Sequence, residues 1–342
     1  MFSDSHAHFF MIFQRNEGDT SFLHTMKERN FKFAMDIGTQ PGDLKERQKF
    51  ISDVFSDKIQ GQMPGQMPGH LPGLMPGHIT SQIPGLMHGQ MTMQATVHEP
   101  ERFPDFMHFA AGLWPHAESI ADPENALAAL KTDIDTLFLQ KAEVEKTNPG
   151  KPFYCGLGEC GLDRYWNGPA AEKRGRTLQT AEERGTSDIE GEEFLFKEQL
   201  KIAKEKNLSV IVHSRDAYED TLKCIDEAGH HKGIIHCYSY GLKEAYSFLE
   251  RGWYISFPGN ITYAKKQADK DRIAELVRAI PSDKLLLETD APYLAPVPFR
   301  GKINTPLLIE YTYAAVSEIL GKSMESLAEQ IYQNCCSCFL VR

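Results

Sequence analysis

Long apolar runs are absent from this chain of 342 residues. No window approaches 18 uninterrupted apolar residues, so the sequence predicts no transmembrane helix and no membrane partner. The first ten residues carry an Asp and two His but no basic region, which is unlike a secretion signal. We therefore expect a cytoplasmic location.

The chain also lacks an excess of positive charge, with 37 Lys and Arg against 47 Asp and Glu and a formal net charge of −10. This balance disfavours nucleic-acid binding by the whole surface, although bound divalent ions could still face phosphates. The seven cysteines form no paired Cys-x-x-Cys pattern, which excludes a zinc ribbon and predicts reduced thiols.

Two stretches show no hydrophobic periodicity. The range 59–98 contains a tetrapeptide repeat at 62–89 in which most units end in Pro-Gly, and we expect a flexible Met/Pro/Gly-rich insertion there. The range 168–191 is polar with mixed charge, and we predict a long surface loop. About 280 residues remain, a length that suits one α/β barrel.

The remainder alternates between short apolar runs and amphipathic stretches. This alternation predicts eight parallel strands, each followed by a helix, and therefore a single-domain TIM-type (β/α)8 barrel with two surface insertions. An open doubly wound sheet is the alternative, but no Gly-rich phosphate loop follows an early strand. The predicted strands are 2–9, 31–38, 108–114, 153–159, 208–214, 233–239, 253–259 and 285–291, and the predicted helices are 43–57, 122–140, 192–206, 216–228, 242–251, 270–280 and 306–320.

Candidate metal ligands fall at the carboxyl ends of the predicted strands, where barrel enzymes carry their chemistry. Two His residues spaced two apart point to one face of a strand, and imidazole and carboxylate together suit Zn²⁺, Mn²⁺ or Mg²⁺. Six ligands exceed the need of one tetrahedral ion and suffice for two ions that share a carboxylate. The candidates are His6 and His8, Glu159, His213, His236 and Asp290.

Several segments resemble the TatD family of metal-dependent hydrolases, which belongs to the amidohydrolase-like barrels. The resemblance is carried by SDSHAHF (3–9), GLGECGLDRYW (156–166), VIVHSRDAYEDTL (210–222), GIIHCYSYGLKEA (233–245), FLERGWYISFPGNITY (248–263) and LLLETDAPYLAPVPFRGKINTPLLI (285–309). IYQNCCSCF (331–339) resembles the closing helix of that family. The resemblance covers nearly the whole chain apart from the two insertions.

The resemblance implies a ligand set and an activity. His6, His8, Glu159 and Asp290 would hold one ion, and Glu159, His213 and His236 a second, with Glu159 between them. Members of the family are described as Mg²⁺- or Mn²⁺-dependent deoxyribonucleases, some with 3′ to 5′ exonuclease activity, so DNA is the expected substrate.

Further roles follow from position. Asp290 is the candidate general base and acts with Glu159 as the catalytic pair. Asp4 and Glu288 lie two residues before metal ligands and are expected to orient them. The expected substrate contacts are Arg215, His116, Arg300 and Asn304.

One position departs from the family pattern. The segment GLWPH (112–116) has Trp114 where the family usually carries the first His of Gly-x-His-Pro-His, whereas His116 remains. Trp114 removes a possible acid but could stack a nucleobase. Three functions therefore stay open: a DNA phosphodiesterase, a hydrolase of an ester or amide bond such as an aminoacyl-tRNA deacylase, and a non-enzymatic protein that retains the site.

Overall fold

Eight parallel strands arranged in sequence order form the centre of the molecule. The computed structural model describes residues 1–56, 103–168 and 187–340, and within them each strand pairs in parallel with the next along the chain. The predicted (β/α)8 barrel is confirmed. The strands are β1 (Ser3–Ala7), β2 (Phe33–Ile37), β3 (Met107–Ala111), β4 (Cys155–Asp163), β5 (Ser209–Arg215), β6 (Gly233–Ile235), β7 (Tyr254–Phe257) and β8 (Leu285–Leu287).

The barrel closes between β1 and the segment that follows β8. Ala7 and Ala291 form a parallel bridge. The His8 amide donates to the Ala291 carbonyl at 2.8 Å, and the Asp290 amide donates to the His6 carbonyl at 3.0 Å. The first and last functional segments of the chain are thus hydrogen-bonded to each other.

Helices cover the outside of the barrel. Gly229 and Gly321 end two of them in the left-handed conformation that glycine adopts without steric cost. The short helices before β2 and after β3 were not predicted, because they lie within loops or interrupt the regular alternation. The helices are α1 (Phe9–Arg15), α2 (Ser21–Glu28), α3 (Leu44–Phe55), α4 (Ala117–Ala121), α5 (Pro123–Thr147), α6 (Ile189–Lys206), α7 (Tyr218–Ala228), α8 (Leu242–Leu249), α9 (Gln267–Ala279), α10 (Ile309–Leu320) and α11 (Met324–Cys338).

Some strand boundaries differ from the predictions. Glu159 was expected to end β4 but lies in its middle, at a register irregularity between Gly158 and Cys160, and the strand continues to Asp163. β8 ends at Leu287, so Asp290 lies in the loop beyond it. Side-chain patterning marks buried segments, but backbone pairing decides where a strand ends.

The structure describes few residues of the two predicted insertions. The range 59–98 lies outside the described residues, as does most of 168–191. α6 begins at Ile189, so the last three residues of the predicted loop are helical. Among the helices in the described part of the chain, none is long and apolar enough to cross a membrane.

Candidate metal centre

A cavity of about 660 Å³ opens at the carboxyl ends of the strands. Five of the six predicted ligands line it, and His6 lies just below with 1% of its surface exposed. The loops after β3 and β4, α1 and the loop after β8 all contribute to its lining. Asp290 has a φ of 51°, a left-handed conformation that costs a non-glycine residue energy and is common at functional sites.

The first site is formed by His6, His8, Asp290 and the Oε2 atom of Glu159. The Nε2 atoms of His6 and His8 are 3.2 Å apart, and each lies 3.4 Å from Oε2 of Glu159. They lie 3.6 and 3.7 Å from Oδ1 of Asp290. Ligands about 2.1 Å from a tetrahedral ion lie roughly 3.4 Å from one another, so these atoms fit a divalent ion.

The second site is formed by His213, His236 and the other oxygen of Glu159. Oε1 of Glu159 lies 2.8 Å from Nδ1 of His213 and 2.9 Å from Nε2 of His236, and the two nitrogens are 3.2 Å apart. Three protein ligands leave coordination positions for water and substrate, as in catalytic metal sites. The carboxylate of Glu159 therefore faces both sites, one oxygen to each.

Groups outside the two sites fix the orientation of the ligands. Nδ1 of His8 lies 3.2 Å from the Ile37 carbonyl, which leaves Nε2 free to bind an ion. Asp4 accepts hydrogen bonds from the backbone amides of His6 and Thr289, at 3.2 and 3.0 Å, and thereby joins β1 to the loop of Asp290. Both carboxylates predicted to orient ligands, Asp4 and Glu288, are fully buried.

Glu288 lies behind His236. Its Oε1 atom is 3.5 Å from Nδ1 of His236 and accepts a hydrogen bond from the Cys237 amide at 2.6 Å. Nδ1 of His6, Nδ1 of His236 and Oε2 of Glu288 are buried without a hydrogen-bond partner among the described residues. Through its Oε1 atom, Glu288 thus holds the Cys237 backbone next to His236 and also faces the ring of His236.

The electrostatics of the centre suit cation binding. Burial alone would raise the pKa of Glu159, but the facing His236, His213 and His6 hold it well below its ordinary value. Burial and the neighbouring His236 lower the pKa of His6 to about 4. A charged carboxylate and an unprotonated imidazole are the forms that bind a divalent ion.

The predicted substrate contacts do not all reach the cavity. Arg215 and His116 line it; Arg215 lies over the Tyr165 ring at 3.7 Å, and His116 is 2.6 Å from the Gln40 amide nitrogen. Asn304 is instead fully buried, and its amide donates to backbone carbonyls of the loop after β8.

Arg300 is exposed and does not line the cavity; it lies over the ring of Tyr263 at 4.3 Å. Asn304 thus anchors the loop after β8, and Arg300 contacts the segment after β7. That either residue binds substrate stays a prediction.

Other cavity residues were not among the predicted site residues. Arg15 of α1 lies over the Tyr293 ring at 4.4 Å and donates to its hydroxyl at 2.9 Å, which places a second arginine at the mouth. Trp114 lies between His116 and His213, with ring centroids 4.6 and 5.7 Å away. No motif marks Arg15, because its position depends on a helix that the sequence pattern did not predict.

The family assignment rests on a match along nearly the whole chain. The model of the family described as "TatD related DNase" matches residues 3–340. The chain belongs to the TatD family. The resemblance carried by the motifs is thereby confirmed, and the TatD-family chain is a metal-dependent hydrolase with candidate ligand clusters at the expected positions.

Known TatD relatives agree with this assignment. The uncharacterized metal-dependent hydrolase YabD of Bacillus subtilis (strain 168) is 32% identical over 232 residues, which cover 67% of this chain and 76% of the relative. The uncharacterized metal-dependent hydrolase YcfH of Escherichia coli (strain K12) is 34% identical over 180 residues, 52% of this chain and 60% of that relative. The shared property in these names is metal-dependent hydrolysis.

Solved structures share the fold of the TatD-family chain. The TatD homologue YJJV of Escherichia coli K12 has a TM-score of 0.59 at 20% identity, covering 99% of this chain and 97% of that one. A TatD-family hydrolase from Entamoeba histolytica has a TM-score of 0.62 at 16% identity, covering 95% and 90%. At these identities the structural similarity concerns the barrel alone.

Proposed function

We propose that this TatD-family chain is a deoxyribonuclease that hydrolyses phosphodiester bonds at DNA ends or in single strands, with two divalent ions (Mg²⁺, Mn²⁺ or Zn²⁺) at its centre. The observation that carries the proposal is the carboxylate of Glu159, whose two oxygens face separate ligand groups at 2.8–3.4 Å. A carboxylate shared in this way is typical of two-metal phosphodiesterases. The family description also names a DNase activity.

The surroundings of the centre suit an anionic substrate. Arg15 and Arg215 both line the cavity, each held against a tyrosine ring. They supply local positive charge although the whole chain has a net charge of −10. Guanidinium groups bind phosphate oxygens in a bidentate manner, which an ester or amide substrate without phosphate would not require.

Three cavity residues have roles in the proposed reaction. When bound, the two ions supply an acidified water and offset negative charge on the phosphate. Asp290, with 14% of its side chain exposed at the mouth, accepts the proton of the attacking water. Arg215 orients the scissile phosphate, and the face of Trp114 stacks a base next to it.

A metal-reconstitution nuclease assay tests the proposal. Protein stripped with EDTA is offered single- and double-stranded DNA with Mg²⁺, Mn²⁺ or Zn²⁺. We expect metal-dependent cleavage that falls about 100-fold or more in Asp290→Asn, since a proton acceptor is typically worth a factor of about 10² to 10⁴. Asp271→Asn, an exposed carboxylate on α9, is the matched control and should cleave normally.

The absence of cleavage with every ion, in protein shown to bind two ions, would overturn the DNase proposal. Ester and amide substrates, including aminoacyl-tRNA, would then be assayed with the same variants. Cleavage of these substrates would identify the alternative hydrolase. The Trp114→His variant belongs in the same assay, since DNA cleavage by it alone would show that Trp114 abolished the activity.

A further inference from the structure

The imidazole of His213 has a buried carboxylate behind it. Oδ2 of Asp163 lies 2.9 Å from Nε2 of His213, on the side of the ring away from Glu159. The other oxygen of Asp163 accepts the Trp166 amide at 2.8 Å. Asp163 is 1% exposed, so its charge is directed at His213 with little screening by water.

This contact decides which nitrogen of His213 binds an ion. A carboxylate accepts a hydrogen bond but cannot donate one, so Nε2 of His213 must carry the proton that faces Asp163. Nδ1, 2.8 Å from Oε1 of Glu159, is then the nitrogen that would give up its proton and offer its lone pair to an ion in the second site. Hydrogen bonding to a carboxylate also makes the imidazole a stronger ligand.

The second site depends more than the first on carboxylates that lie behind its ligands. At the first site, Asp290 and one oxygen of Glu159 are both ligands. Among the described residues, the second site has a single carboxylate ligand, the other oxygen of Glu159. Its two imidazoles are backed by carboxylates instead, at 2.9 Å from Asp163 and 3.5 Å from Glu288.

Asp163 is in turn held by a residue of α6, a helix on the outside of the barrel. Its backbone amide donates to Oε1 of Glu192 at 2.7 Å. Glu192 lies on α6, is fully buried, and also pairs with Arg164 and accepts from Asn167. The chain of contacts therefore runs from α6 through the end of β4 to a ligand of the second site.

We propose that Asp163 is a positioning residue that fixes His213 in the tautomer and orientation needed to bind the second ion, and thereby sets the occupancy of the second site independently of the first. The inference rests on the proposed two-ion centre. Asp163 acts through His213, whose Nε2 atom it contacts at 2.9 Å.

Mn²⁺ titration of the full chain tests the inference. Free Mn²⁺ is counted by electron paramagnetic resonance in wild type, Asp163→Ala and Asp163→Asn. We expect wild type to bind two ions, and Asp163→Ala to bind the second ion about 10- to 100-fold more weakly, the usual effect of losing such a contact. The first ion should bind within about twofold of wild type, since its ligands do not contact Asp163.

Asp163→Asn should fall between wild type and Asp163→Ala, because an amide oxygen can accept the His213 proton but carries no charge. Asp220→Asn, at the exposed end of the Arg164 cluster, is the control and should bind both ions normally. A general folding defect would weaken both ions together in Asp163→Ala, and that result would overturn the inference.

The outcomes separate the two proposals. One Mn²⁺ per chain in wild type would overturn the two-ion centre itself. Two ions bound equally well by wild type and Asp163→Ala would leave the two-ion centre intact and overturn only the role of Asp163.

Discussion

At the scale of single residues, the metal-free centre holds protons that an arriving ion must displace. Burial lowers the pKa of His8 and His213, but hydrogen bonds to Asp290 and Glu159 outweigh it for His8 and raise its pKa to about 10. Hydrogen bonds to Asp163 and Glu159 likewise raise the pKa of His213 to about 9. Both imidazoles are therefore charged near neutral pH until an ion binds.

We expect the affinity for divalent ions to rise with pH and to level off only above about pH 10, the pKa of His8. Each proton released makes binding about tenfold tighter per pH unit while the pH lies below the pKa of the group that loses it. Mn²⁺ titrations between about pH 6.5 and pH 8.5 measure this slope. An affinity independent of pH across that range would contradict the protonated metal-free centre.

The ligand residues could be predicted from the sequence because each follows or lies in a buried apolar run, and parallel strands bring such positions to one rim. The loop after β8 could not be read in this way. Asn304 and Arg300 lie in a polar, Pro-rich segment where the same residue types suit substrate binding and loop anchoring equally. The contact between Asp163 and His213 could not be predicted, because it depends on the extension of β4 as far as Asp163, and that extension depends on pairing with β5.

At the scale of elements, α3 is fastened to the barrel by a buried ion pair. Arg47 of α3 pairs with Asp36 of β2 and with Asp43 at 2.9 Å, and it donates to the Ala110 carbonyl of β3 at 2.8 Å. Asp36 also accepts the Phe9 amide at 3.2 Å, directly after His8. The cluster thus links three elements beside the first site.

We expect Arg47→Ala to lower the free energy of unfolding by about 3–5 kcal/mol, because it leaves the buried carboxylate of Asp36 without its cation. Urea unfolding followed by circular dichroism measures the change. Lys49→Ala, which removes an exposed pair with Asp53 on the same helix, should cost less than about 1 kcal/mol. Equal effects of the two substitutions would refute a structural role for the buried pair.

Most elements were predictable because amphipathic and apolar runs alternate regularly along the chain. The short α1, α2 and α4 were missed, since each lies within a βα loop or next to a longer helix and is too short to show a period. These helices matter for function, because α1 carries Arg15 to the mouth of the cavity.

At the scale of the whole molecule, ligands in or directly after β1, β4, β5 and β6 and in the loop after β8 meet at one centre, so a bound ion links distant parts of the barrel. An ion at about 100 times its dissociation constant adds about 2.7 kcal/mol of stability per site. We expect Mn²⁺ to raise the melting temperature of wild type by several degrees. Glu159→Ala, which loses an oxygen from both sites, should show no increase, and an unchanged wild-type melting temperature would contradict the coupling.

The closure of the barrel between β1 and the segment around Ala291 also has a consequence for synthesis on the ribosome. His6 and His8 are translated long before Asp290, the residue that completes their site. At ordinary translation rates the interval is roughly 15–60 s. A nascent chain therefore lacks a complete first site until all eight strands of the barrel have been translated.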